Sequence, residues 1–125
     1  MEIRKAHFPG RAPVDAYGGG GFRFAGMSHF GSILCLPSGI HGWPVASFGE
    51  LSLDSFTRVL EQAGEIEVLL VGTGVDLRPL KPDWKAAFRE AGILADPMST
   101  GAAVRTFNVM LSEDRAVAAA FLAVE

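Results

Sequence analysis

The run from Glu65 to Asn108 constrains the fold more than any other part of the chain. It reads as an apolar strand, a Gly72-Thr73-Gly74 loop, a helix, a short strand, and a second turn, Ser99-Thr100-Gly101, that opens another helix. Val68-Leu69-Leu70-Val71 is apolar on both faces, as a central strand of a covered sheet is. In the helix that follows, Pro82 suits the first helical position. Trp84, Ala87, Phe88 and Ala91 make its buried stripe, and Gly92 ends it. Ile93 to Ala95 is the next strand. The third helix spans about 100–111, with Ala103, Val104, Phe107 and Leu111 toward the core and Gly101, Arg105, Asn108 and Ser112 on a second, polar stripe. Strands alternating with helices in this way predict an α/β fold.

The rest of the chain fits around that unit. Residues 1–21 lack periodicity, and Pro9, Gly10, Pro13 and the run Gly18 to Gly21 predict an extended arm over a core of residues 22–125. Phe22 to Ala25 and Phe30 to Leu36 read as two strands of a hairpin turning at Met27-Ser28-His29. Gly42 to Ser47 allows a short strand, and Pro44 predicts a sheet edge. Ser52 to Ala63 is the first helix, capped by Ser52, with Phe56, Val59, Leu60 and Ala63 on its apolar side. Ala116 to Val124 is open between helix, favoured by its alanines, and strand.

At 125 residues the chain is one domain, 1–125. The net charge of −3 and scattered basic residues argue against a nucleic-acid partner. Cys35 is the single cysteine, so no disulfide within the chain is available, and its apolar strand predicts a small buried hydrophobe. No stretch approaches the roughly 18 apolar residues of a spanning helix, and Met1 to Arg11 lacks the apolar run of a secretory signal. The prediction is a soluble, cytoplasmic chain. Its mean hydropathy of +0.27 hints at an apolar surface covered by a partner.

The two glycine-containing turns face one end of the sheet and supply the candidate site: Gly72, Thr73, Gly74, Arg78, Ser99, Thr100, Gly101, Arg105 and Asn108. A helix N-terminus offers free N–H groups to an anion, and Arg105 one turn on, with Arg78 from the other loop, would grip a carboxylate or phosphate. The alternative is structural: Thr100 caps its helix and Arg105 pairs with Asp76 or Asp96. A dinucleotide fingerprint fails, because its third glycine falls at Leu77 and Pro79 delays the helix. His7, His29 and His41 lack metal-ligand spacing, and no nucleophile–base–acid set stands out. No cofactor, metal or catalytic residue is therefore predicted.

Val71-Gly72-Thr73-Gly74 with Arg78-Pro79-Leu80, the block Ser99-Thr100-Gly101-Ala102-Ala103-Val104-Arg105-Thr106-Phe107-Asn108-Val109, and Asp15-Ala16-Tyr17-Gly18 followed by Gly20-Gly21-Phe22 resemble a small family of largely uncharacterised domains. That family includes the mitochondrial assembly factor for respiratory complex I (the third so numbered) and the adipogenesis-associated protein of animals. The resemblance extends over about residues 13–124. Members often carry a cysteine and a tyrosine around the arginine, where this chain has Val104 and Phe107, which argues against chemistry through a thiol or phenol there. The resemblance implies a compact α/β domain: a mixed central sheet with flanking helices plus a small antiparallel layer from the N-terminal hairpin. It also implies that Ala116 to Val124 is the closing strand. For function it does not imply an established enzymatic activity; for the mitochondrial relative it implies assembly of a membrane-bound respiratory complex through protein contacts, and the expectation for this chain is a binding or assembly protein with a protein partner or self-association. The alternative expectation is a small-molecule or anion-binding protein, an enzyme included, with its site at the Gly72–Gly74 and Thr100–Arg105 turns.

Overall fold

A computed structural model describes residues 7–125; the predicted arm's first six residues lie outside them. Among the described residues six strands, β1 (His7–Phe8), β5 (Ser32–Leu36), β6 (Gly39–Trp43), β7 (Val68–Gly72), β8 (Leu94–Met98) and β9 (Val117–Phe121), form one mixed sheet in the order β1-β6-β5-β9-β7-β8. The β1, β6 and β5 strands are antiparallel, and β7 and β8 are parallel. The link between these halves is β9, antiparallel to β5 and parallel to β7. So residues 117–121 do form a strand, in the interior of the sheet rather than at its margin. All five are buried, and apolar layers on both faces override the helical preference of the alanines.

Helix α2 (Pro82–Glu90) connects β7 to β8, and helix α3 (Thr100–Ser112) carries the chain from β8 back across β7 to β9. The two crossovers run in opposite directions along the sheet. Right-handed connection therefore places the helices on opposite faces, and the packing agrees. On one face Trp84 and Phe88 of α2 join Trp43, Phe56 and Leu69. On the other, Ala103, Val104 and Phe107 of α3 join Ile33, Cys35, Leu70 and Phe121. The α2 face is aromatic: Phe56 meets Trp43, Trp84 and Phe88 with ring centroids 5.2–5.6 Å apart. Trp43 is a core anchor there, its indole N–H donating to the Ser55 carbonyl at 2.8 Å.

The expected first helix, 52–63, is only partly α-helical. A 3₁₀ turn, Leu53–Phe56, leads into α1 (Thr57–Glu61) and a second 3₁₀ turn, Ala63–Glu65. At its start the Ser52 N–H donates to Ser55 Oγ at 3.1 Å and the Ser55 N–H donates to the Ser52 carbonyl at 3.0 Å.

Residues 14–30 differ most from the sequence reading. In place of an arm and a two-stranded hairpin, they form a three-stranded antiparallel sheet: β2 (Val14–Gly18), β3 (Gly21–Phe24) and β4 (Met27–Phe30). The turn expected at residues 27–29 lies instead at Ala25 and Gly26, both with positive φ (50° and 73°), as a tight hairpin turn requires. The strand expected over 30–36 is broken at Gly31, where the chain leaves this sheet and enters the large one as β5. The strand expected over 42–47 is Gly39–Trp43 and ends before Pro44, whose missing N–H cannot extend the ladder. The small sheet packs beside α3, with Phe22 stacked on Phe121 at 5.9 Å and Phe107 meeting Phe121 edge-on at 5.6 Å.

Candidate functional site

The two glycine turns meet. Because α3 must cross from β8 to the far side of β7, the Ser99–Gly101 turn passes over the carboxyl end of β7. In a doubly wound sheet that is where a ligand crevice opens. Here Thr100 fills it. Fully buried, its hydroxyl accepts from the Gly74 N–H at 3.1 Å and donates to the Leu122 carbonyl at 2.8 Å, while the Thr100 N–H donates to the Gly74 carbonyl at 2.8 Å. A Cβ on Gly72 would lie 3.1 Å from Thr100 Cα and 3.2 Å from Phe121 Cδ1, so any side chain there would push Thr100 or Phe121 back, and glycine permits the close approach. Thr73 closes its own loop: its N–H donates to the Met98 carbonyl at 2.8 Å, and its hydroxyl accepts from the Arg78 N–H at 2.9 Å. Ser99 Oγ caps α3 by accepting from the Ala102 N–H at 3.4 Å.

Arg78 and Arg105 are not brought together. Arg78 lies 5.6 Å over the Phe48 ring, itself packed against Trp84 on the α2 face. Arg105 is exposed on α3, on the opposite face, and among the described residues it makes no ion pair with Asp76 or Asp96. The polar stripe of α3 serves another purpose, which the sequence did not reveal: it seats β2. Asn108 grips Val14 at both backbone groups, donating to its carbonyl at 2.8 Å and accepting from its N–H at 2.9 Å. Gly101 leaves room for the Tyr17 ring and hydroxyl.

Open surface lies elsewhere. The outer side of the small sheet, where Ala16, Arg23, Ser28 and Phe30 stand, carries a shallow, mostly apolar depression of about 280 Å³. Phe30 is 63% exposed and Tyr17 40%. Phe30 also borders a broad groove of about 1290 Å³ that runs past Trp43, Pro44 and Val45 to Asp54 and Arg58 and holds all three histidines. In that groove His41 Nε2 lies 2.9 Å from Ser38 Oγ. Partial burial, then Arg58 and His7, lowers its pKa below the usual histidine value. Cys35 is buried and desolvation pushes its thiol far above the ordinary range, so it is an inert core residue. Among the described residues no three His, Cys, Asp or Glu side chains gather to hold a metal, and no helix is long and apolar enough to cross a membrane.

Fold and site together define a small mixed α/β domain whose switch-point crevice is plugged from within and whose open surface is a hairpin layer. The chain belongs to the family described as a protein of unknown function (DUF498/DUF598), which matches residues 14–122. The crystal structure of an outer membrane protein from Bartonella henselae superposes with a TM-score of 0.92 at 59% identity, covering 95% of this chain and 100% of that one. An uncharacterized protein of Rhodobacter capsulatus is 36% identical over 122 residues, covering 98% of this chain and 93% of the relative. NADH dehydrogenase (ubiquinone) 1 alpha subcomplex assembly factor 3 of Mus musculus is 30% identical over 122 residues. The match takes in 98% of this chain but 66% of the mouse protein's length.

Proposed function

We propose that the chain is a non-catalytic binding protein that acts in assembly through protein contacts made on the outer face of the small sheet. One observation carries the reading: Phe30, a large aromatic side chain 63% exposed, stands between an apolar depression and a broad groove. Aromatic anchors of this kind dominate protein interfaces. The relatives named as assembly factors support the class of function, and a subunit of a respiratory membrane complex is the partner it suggests. Self-association through the same face and a cytoplasmic location go with the reading.

The test is crosslinking capture from the native cell with wild type, Phe30→Asp and Arg105→Glu. Wild type should retain subunits of a respiratory complex and Phe30→Asp should lose them while keeping its far-UV spectrum and melting temperature. Retention by Phe30→Asp would move the contact off this face.

A second reading keeps a small anion at the Gly72–Gly74 and Ser99–Arg105 turns. The exposed Arg105, one turn into α3 and with no carboxylate partner at Asp76 or Asp96 among the described residues, favours it. The Thr73 and Thr100 hydroxyls, already bonded to the chain itself, weigh against it. Anion-dependent stabilisation that is lost in Arg105→Glu would support this second reading.

A further inference from the structure

His7 and His41 are direct cross-strand partners in the β1–β6 ladder. Their ring centroids lie 5.5 Å apart and the rings are tilted by 48°. Opposed side chains in an antiparallel ladder leave the same face of the sheet about 5 Å apart at Cβ, so two imidazoles there can converge on one point. A metal ion bound tetrahedrally by two imidazole nitrogens at about 2.0–2.1 Å holds the ring centroids about 5.2 Å apart. The His7–His41 spacing already matches that value to within about 0.3 Å.

The His41 ring is also held in place from one side. Ser38 Oγ lies 2.9 Å from Nε2, and Gln62 fixes that serine twice: its Nε2 donates to Ser38 Oγ at 2.8 Å and its Oε1 accepts from the Ser38 N–H at 3.0 Å. In the tautomer whose Nε2–H donates to the Ser38 oxygen, the Nδ1 lone pair is left for a ligand, and that is the tautomer the site takes. An outer partner that fixes tautomer and ring orientation in this way is what metal-binding histidines have. Both rings line the broad groove, so coordination positions beyond the pair open onto its volume.

We propose that His7 and His41 form an open two-histidine site for a divalent transition-metal ion of the zinc or copper class, with Ser38 and Gln62 as its positioning residues. No third His, Cys, Asp or Glu closes the site among the described residues. The remaining positions therefore take water or a ligand from a partner seated in the groove, as sites with unfilled positions do.

The test is calorimetric titration of tag-free protein with zinc chloride near neutral pH, where imidazole ligands are deprotonated. Wild type should bind one ion per chain saturably. His7→Gln and His41→Gln should each weaken binding at least ~10-fold, and Ser38→Ala, which leaves both ligands, ~10-fold. His29→Gln, in the same groove but outside the pair, should bind as wild type does. Metal-free melting curves establish that each variant is folded; if His41→Gln does not fold, His7→Gln and Ser38→Ala decide. Absence of saturable binding by wild type overturns the proposal, and so does unweakened binding in either histidine variant that folds.

Discussion

The carboxyl end of β7 and the small sheet of β2–β4 are both rich in glycine, and they use it to opposite effect. At β7, Gly72 lets another part of the chain come close, so that Thr100 fills the crevice and its hydroxyl bonds across to Gly74 and Leu122. In the small sheet, Gly19 and Gly20 turn the chain at φ 61° and 84°, and nothing lies within 4 Å of where a Cβ on Gly19 would stand. The first region resembles a ligand site and is sealed. The second resembles a loose arm and presents the exposed aromatics. A glycine-rich turn therefore indicates close approach or tight curvature, and only its surroundings say which one.

Three substitutions would break or sharpen that contrast. Thr100→Val keeps the volume but leaves the Gly74 N–H and the Leu122 carbonyl without this partner, each a cost of about 1–3 kcal/mol when buried. Urea unfolding should show a loss of about 3 kcal/mol; a loss under about 0.5 kcal/mol would mean that these bonds do not seal the crevice. Asn108→Ala removes both side-chain bonds to Val14 and should cost about 1–2 kcal/mol. Hydrogen exchange should locate the effect in β2, with amides of β7 and β9 still protected. Uniform loss of protection would show the two sheets to be one cooperative unit. Phe30→Asp should change stability least, within about 0.5 kcal/mol, because the side chain is mostly in water already. A larger loss would make Phe30 a packing residue rather than a contact surface.

What the sequence revealed follows the range of the forces involved. The β7 strand and helices α2 and α3 were legible because each carries its own apolar pattern, with Gly92 ending α2; the cap of α3 is Ser99, one residue before the Thr100 expected there. The small sheet was not, because β2 is held by partners far along the chain, Asn108 and the space above Gly101. The hairpin turn at Ala25-Gly26 carried no clear signal, because alanine disfavours the positive φ of 50° that it adopts there. At the candidate site, the meeting of the two turns was legible. The separation of Arg78 from Arg105 was not, since it rests on the strand order β9-β7-β8, whose opposite crossover directions send the two helices to opposite faces. Nor was it legible that the hydroxyl of Thr100 is spent inside the fold, because Leu122 lies on the far side of the last strand pairing.

The interior position of β9 has a consequence in time. β5 and β7 make no ladder with each other; each has β9 as its neighbour on that side. Until residues 117–121 have left the ribosome, the antiparallel half β1-β6-β5 and the parallel pair β7–β8 are separate half-sheets, each with an unsatisfied inner edge. A chain whose first eight strands have formed without β9 therefore carries two edges open to pairing with a neighbouring chain, and one five-residue strand closes both at once.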